Sequence, residues 1–148
     1  NMPQGKVCAV VMLDLDYFKG INDTYGHDVG DRYLQSFAAV MNAMPREHFL
    51  TARRSGDEFC MMIFGCRDRE DVVELIKVFY DKLAESCVEL SDTERRTIRA
   101  SAGFAWTDDV DAEIAELLGR ADEALYEIKR DTKGTFGEYQ VQEGAVET

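Results

Sequence analysis

Residues 53–59 read Arg-Arg-Ser-Gly-Asp-Glu-Phe and lie between two apolar stretches, Phe49-Leu50-Thr51-Ala52 and Phe59-Cys60-Met61-Met62-Ile63-Phe64. Two such runs around a short polar segment containing Gly predict a β-hairpin over about residues 49–64. Its turn then carries two adjacent carboxylates, Asp57 and Glu58. Like charges repel, so this turn is a poor choice for stability and a good one for gripping a divalent cation and a phosphate. A second acidic cluster, Asp14-Leu15-Asp16, ends an apolar run that begins at Val7. That run is too short for an independent helix and predicts a central strand covered on both faces. Carboxylates at a strand end and on a hairpin turn can converge on one metal.

The rest of the chain reads as helices and strands around this pair. Residues 17–23 predict a short helix, and 24–30 are rich in turn formers. Residues 31–44 place Leu34, Phe37, Met41 and Met44 on one helical face, with Pro45 as the stop. Residues 70–88 predict a helix on Val72, Ile76, Phe79, Leu83 and Cys87. Residues 97–106 alternate, with Ile98, Ala100, Ala102, Phe104 and Trp106 on one side, which predicts a half-buried strand. Residues 112–130 predict a last helix on Ile114, Leu117, Ala121, Leu125 and Ile128, followed by a weak strand near 135–141. The order β-α-α-β-β-α-β-α-β predicts the α/β (α+β) class: one mixed sheet of about five strands flanked by helices.

A chain of 148 residues fits one domain with a usable core. Residues 6–140 are expected to form it, with 1–5 and 141–148 as loose termini. Met2 follows Asn1 and a strand starts at once, so the domain is expected to be excised from a longer chain. The net charge of −12 argues against a general nucleic-acid surface. It leaves nucleotides open, because a divalent cation bridges carboxylates to phosphates. Cys8, Cys60, Cys66 and Cys87 show no CxxC spacing and read as reduced, buried thiols of a cytoplasmic protein. No run approaches the ~20 apolar residues of a membrane span, so membrane contact by this domain is not expected.

Four ordered segments then resemble one family. Residues 14–27, Asp-Leu-Asp-Tyr-Phe-Lys-Gly-Ile-Asn-Asp-Thr-Tyr-Gly-His, continuing to Gly30-Asp31, resemble the first signature of GGDEF domains. Ser55-Gly56-Asp57-Glu58-Phe59 resembles the name-giving motif with its first Gly replaced. Ser101-Ala102-Gly103-Phe104-Ala105 and residues 121–129 resemble the family's later strand and helix motifs. The resemblance implies a palm-like fold similar to nucleotidyl cyclases. It also implies diguanylate cyclase activity, in which two GTP condense to cyclic di-GMP and two pyrophosphates across a homodimer. An N-terminal sensor or other domain of the parent chain is the implied source of the input signal.

The resemblance also implies roles. Asp14 and Asp57 match metal-ligand carboxylates, with the Leu15 carbonyl as a further ligand and Glu58 beside them. Hard oxygens suit Mg²⁺ or Mn²⁺, between which the residues do not choose. Each acidic pair alone favours the reading of solvated turn acids; the two motifs together favour the metal. Asp57 and Glu58 are the candidates for deprotonating the attacking 3′-hydroxyl, with the role unapportioned. Asn22 and Asp31 match guanine contacts, for which a carboxylate and an amide are chemically apt. Asp31 also reads as a helix N-cap. His27 is a neighbour of that site. Lys19, Lys129 and Lys133 match phosphate contacts, and backbone amides near Phe18 add a cradle. The bland alternative for the three lysines is a solubilising surface.

Four departures qualify the match. Ser55 replaces Gly, which costs roughly 1–2 kcal/mol if the position needs a positive φ. Activity retained, though lowered, is the favoured outcome. The rival is a catalytically weak or inactive GTP-binding module that regulates an attached or partner domain. Arg54 and Lys133 stand where the family pattern has an aromatic or aliphatic residue and an Arg, and Lys lacks the bidentate fork. The inhibitory product motif RxxD corresponds to Arg46-Glu47-His48-Phe49, and Phe49 accepts no hydrogen bond. Feedback through it is expected to be absent or weak.

Overall fold

The structure is a computed structural model and describes residues 5–109 and 111–140. Strand β1 (Val7–Leu15) is the axis on which the other elements are placed. Helices α1 (Phe18–Tyr25) and α2 (His27–Asn42) follow. Strands β2 (Phe49–Ser55) and β3 (Glu58–Cys66) form the hairpin, and α3 (Arg69–Ala84) returns the chain. A two-stranded ribbon, β4 (Val88–Glu89) with β5 (Arg95–Arg96), precedes β6 (Ala100–Thr107). Helix α4 (Ile114–Asp131) and β7 (Phe136–Glu138) complete the described chain. The main sheet runs β2-β3-β1-β6-β7, antiparallel except for the parallel β6–β7 pair. The expected mixed five-stranded sheet with flanking helices is therefore present, with the ribbon as an unforeseen addition. The loose termini expected at 1–5 and 141–148 lie, apart from residue 5, outside the described residues.

Period-2 geometry splits β1 between two environments. Val7, Ala9, Val11, Leu13 and Leu15 join the larger core, with Phe37 and Met41 of α2 and Val72, Ile76, Phe79 and Leu83 of α3. Phe37 is its hub, with ring centroids 4.8 Å from Phe59 and 5.9 Å from Phe79. Both contacts are edge-on, the arrangement ring quadrupoles favour. Asp68 starts α3 by accepting from the Asp71 amide at 2.9 Å. On the opposite face, Val10 and Met12 pack with Ala105 under Leu117, Ala121 and Leu125 of α4.

Several expectations are corrected. The strand expected at 97–106 is not half-buried: Ala100 to Ala105 are buried on both faces, because α4 lies on the second. A Cβ on Gly103 would sit 2.1 Å from the Leu125 amide nitrogen, so only glycine admits the helix this closely. Helix α2 begins at His27, inside the stretch read as turn formers. Gly30 is needed there, since its Cβ would meet Asn22 Oδ1 at 1.8 Å. Asp31 is thus the fifth residue of α2, and its reading as an N-cap falls. The helix expected to reach residue 88 ends at Ala84, and the last helix starts at Ile114. Of the thiols, Cys66 is buried, Cys8 and Cys60 are half-buried, and Cys87 is exposed.

Candidate active site

Strand β1 delivers Asp14 to the edge of the α4 face. Across the sheet it pairs with Glu58 of β3 and Ser101 of β6. The hairpin turn closes over it: the Leu15 N–H donates to the Asp57 carbonyl at 3.2 Å. The two expected acidic clusters are therefore brought together. Burial pushes the Asp14 carboxyl up to about 6, and the neighbouring Asp57 carboxylate adds to the rise. Lys129, reaching across from α4, opposes it with its Nζ 2.9 Å from Asp14 Oδ2. Asp14 Oδ1 is buried and has no hydrogen-bond partner among the described residues.

A buried carboxylate oxygen left without a donor can be satisfied by a cation. No three acid, His or Cys side chains among the described residues form a ready-made cage. Mg²⁺ takes one or two carboxylates and completes its shell with water and substrate phosphates. The donor set of Asp14 and Asp57 therefore suits a hard divalent ion.

The turn explains how Ser55 fits. The positive-φ residues with side chains among those described are Tyr17 and Lys133, so Ser55 carries no left-handed strain. Gly56 takes it, at φ 45°, and the Arg53 Nε–H donates to its carbonyl at 2.9 Å. Arg54 donates to both carboxylate oxygens of Asp122 on α4, at 3.0 and 3.3 Å. This ties the hairpin to the helix that carries Lys129, a link the sequence alone did not reveal.

The remaining expected residues are spread around this centre. Phe18 opens α1, with its ring 6.5 Å from Tyr33. Lys19 is exposed and paired with Asp23 at 2.9 Å, on the outer side of α1. Asn22 is half-buried against Gly30, while His27 and Asp31 are exposed on α2. Asp31 lies at one end of a groove of about 560 Å³ between α2 and β2, with Asn42, Arg53 and Phe59 further along. Lys133 follows α4 and holds its Nζ 4.7 Å from the centre of the Tyr17 ring. Phe49, at the degenerate RxxD position, is buried in the core and only 5% exposed.

Sequence reasoning missed a buried relay beneath these groups. The Ser101 hydroxyl donates to Asp16 Oδ1 at 2.7 Å and accepts from the Gly134 amide at 2.9 Å. Ser101 and Asp16 are 0% and 2% exposed. An Asp just past the end of β1 and a Ser on the neighbouring strand β6 are the signal the sequence offers for it.

The family described as "Diguanylate cyclase, GGDEF domain" matches residues 2–135. The chain is similar to the probable diguanylate cyclase DgcE of Escherichia coli, with 31% identity over 93% of this chain and 12% of that protein. It is similar to the cyclic di-GMP phosphodiesterase NbdA of Pseudomonas aeruginosa, with 34% identity over 85% of this chain and 16% of that protein. The chain thus spans less than a fifth of the length of either relative. Among solved structures it resembles the active GGEEF domain of a diguanylate cyclase from Vibrio cholerae. That match has a TM-score of 0.80 and 27% identity, over 93% of this chain and 85% of that one. The family model spans nearly the whole chain and the solved domain shares its fold: the chain belongs to the GGDEF family of diguanylate cyclase domains.

Proposed function

We propose that residues 6–140 are the catalytic unit of a diguanylate cyclase, working as a homodimer within a longer cytoplasmic chain. The observation that carries this reading is the Asp14–Asp57 pair, with its orphaned buried oxygen and the Lys129 ammonium beside it. In each of two steps the 3′-oxygen of one GTP bonds to the α-phosphorus of the other. The bond from that phosphorus to the bridging oxygen breaks and pyrophosphate leaves. The hydroxyl proton passes to Asp57, on the turn, or to Glu58, at the start of β3.

Asp14 and Asp57, with the Leu15 carbonyl and Glu58 beside them, would hold Mg²⁺ or Mn²⁺, which when bound neutralises the triphosphate and acidifies the attacking hydroxyl. Lys129 and Lys133 serve the phosphates as point charges, with the amides at Phe18 and the more distant Lys19. Asn22 and Asp31 take the guanine edge, and the Asp31 carboxylate accepts from N1–H and the exocyclic amine. His27 flanks them. Ser55, free of left-handed strain, is compatible with turnover. Feedback through Arg46 is weak because Phe49 is committed to the core. Tight cyclic di-GMP binding lost on Arg46→Ala would refute that point.

The test is product analysis by chromatography and mass spectrometry after incubation with GTP and Mg²⁺, beside Asp57→Asn. Cyclic di-GMP from the parent alone supports the cyclase. A second reading is a GTP-binding module that regulates an attached domain, favoured by the similarity to a phosphodiesterase. It prevails if a forced dimer binds GTP and makes no product.

A further inference from the structure

Tyr17 and Lys133 each adopt φ 59°, a conformation ordinarily left to glycine. Strained residues persist where the surroundings over-determine them, and they cluster at working sites. These two face one another. Tyr17 immediately precedes α1 and makes no capping bond with its side chain. Lys133 follows α4, and its N–H donates to the Ile128 carbonyl at 2.7 Å. Its Nζ stands 4.7 Å from the centre of the Tyr17 ring.

The two segments are also tied from below. The Gly134 amide donates to Ser101 Oγ and the Ser101 hydroxyl to Asp16 Oδ1, while the Asp16 amide donates to the Arg99 carbonyl at 3.0 Å. This buried relay fixes where the backbone after α4 sits relative to the loop after β1. The ring above it fixes where the Lys133 ammonium sits.

Packing does not account for Tyr17. The side chain is 57% exposed, and its hydroxyl makes no hydrogen bond among the described residues. Its ring face does have a use. A free lysine samples many rotamers, and a cation held over a ring gives up that freedom before any ligand arrives. The ammonium keeps N–H donors for an anion, because a ring face takes none of them as a conventional hydrogen bond.

We infer that Tyr17 is a positioning residue for Lys133, holding its ammonium ready for the terminal phosphates of a nucleoside triphosphate. The inference rests on the triphosphate reading of the site. It departs from a plain surface staple, in which the contact would affect folding and leave binding alone.

The experiment measures the Kd of a non-hydrolysable GTP analogue with Mg²⁺ by calorimetry. The proteins are the parent, Tyr17→Phe, Tyr17→Leu, Lys133→Met and the double variant Tyr17→Leu/Lys133→Met. Tyr17→Leu is expected to weaken binding about two- to five-fold, the size of an exposed cation–π contact. Tyr17→Phe, which keeps the ring, restores the parent's affinity. In the Lys133→Met background, Tyr17→Leu has no further effect. An unchanged Kd in Tyr17→Leu, an additive double variant, or a loss in Tyr17→Phe equal to that in Tyr17→Leu would overturn the inference alone. A parent protein that binds no analogue overturns the triphosphate reading and the inference with it.

Discussion

The two faces of the central sheet are built to different rules. On the α2–α3 face, odd-numbered residues of β1 meet large apolar side chains, and aromatic rings interlock around Phe37. On the α4 face, the cluster is small, and Gly103, Ala105 and Ala121 let helix and sheet approach almost backbone to backbone. That second face ends in Asp14, half-buried, with one carboxylate oxygen buried and without a partner among the described residues. One face holds the fold together, and the other gives up stability to keep charged groups at a fixed place.

The comparison is broken most severely at Phe37. Phe37→Ala removes the hub ring and should cost about 3–5 kcal/mol. Chemical denaturation would read it, with little change in nucleotide affinity for the folded fraction. Gly103→Ala strikes the other face. Its Cβ meets backbone atoms of α4 at 2.1 and 2.6 Å, so the helix must shift. About 1–3 kcal/mol should be lost. Affinity for GTP should fall beyond that of Phe37→Ala, because α4 carries Lys129.

Asp14 sharpens the contrast by reversing its sign. With its pKa near 6 instead of 3.8, the folded protein binds a proton that the unfolded chain releases between those values. Stability therefore falls as pH rises from about 4 to 6 and stays reduced above it. Asp14→Asn removes that loss, about 3 kcal/mol for the full shift, and after discount for solvent screening should stabilise the fold by about 2 kcal/mol at pH 8, and hardly at all at pH 4. Thermal melts across pH would show a gap that opens through this window. The smallest effect belongs to Arg54→Leu. Its partner Asp122 and Arg54 itself are both more than two-fifths exposed, so at most about 1 kcal/mol is at stake. A loss much above that would mean the hairpin depends on α4 for its fold.

The same asymmetry decides what the sequence reveals. The α2–α3 face is legible because large apolar residues recur at helical and strand periods: Val72, Ile76, Phe79 and Leu83 in α3, and Val11 and Leu13 in β1. The α4 face is misread because close approach calls for small residues. Ser101, Gly103 and Ala105 look like the wet side of a half-buried strand, yet all three are buried. The start of α2 hides for a related reason: Gly30 makes room for Asn22 and reads as a turn. The ribbon of β4 and β5 has two residues per strand and is held by distant partners, such as Arg32 on the Glu89 carbonyl at 2.9 Å. At the site, the acids stand in recognisable order. The orphaned oxygen of Asp14 and the facing left-handed residues Tyr17 and Lys133 depend on three-dimensional closure, which no spacing encodes.

The most direct test of the claim that the α4 face yields stability for ligand binding is one pair of melting curves at pH 8. Parent and Asp14→Asn are each melted without ligand and with Mg²⁺ and a non-hydrolysable GTP analogue. The variant should melt higher than the parent when alone and lower when the ligands are present, since only the parent gains from them. A variant that gains as much as the parent from the ligands would contradict the account, as would one that is the less stable of the two in their absence.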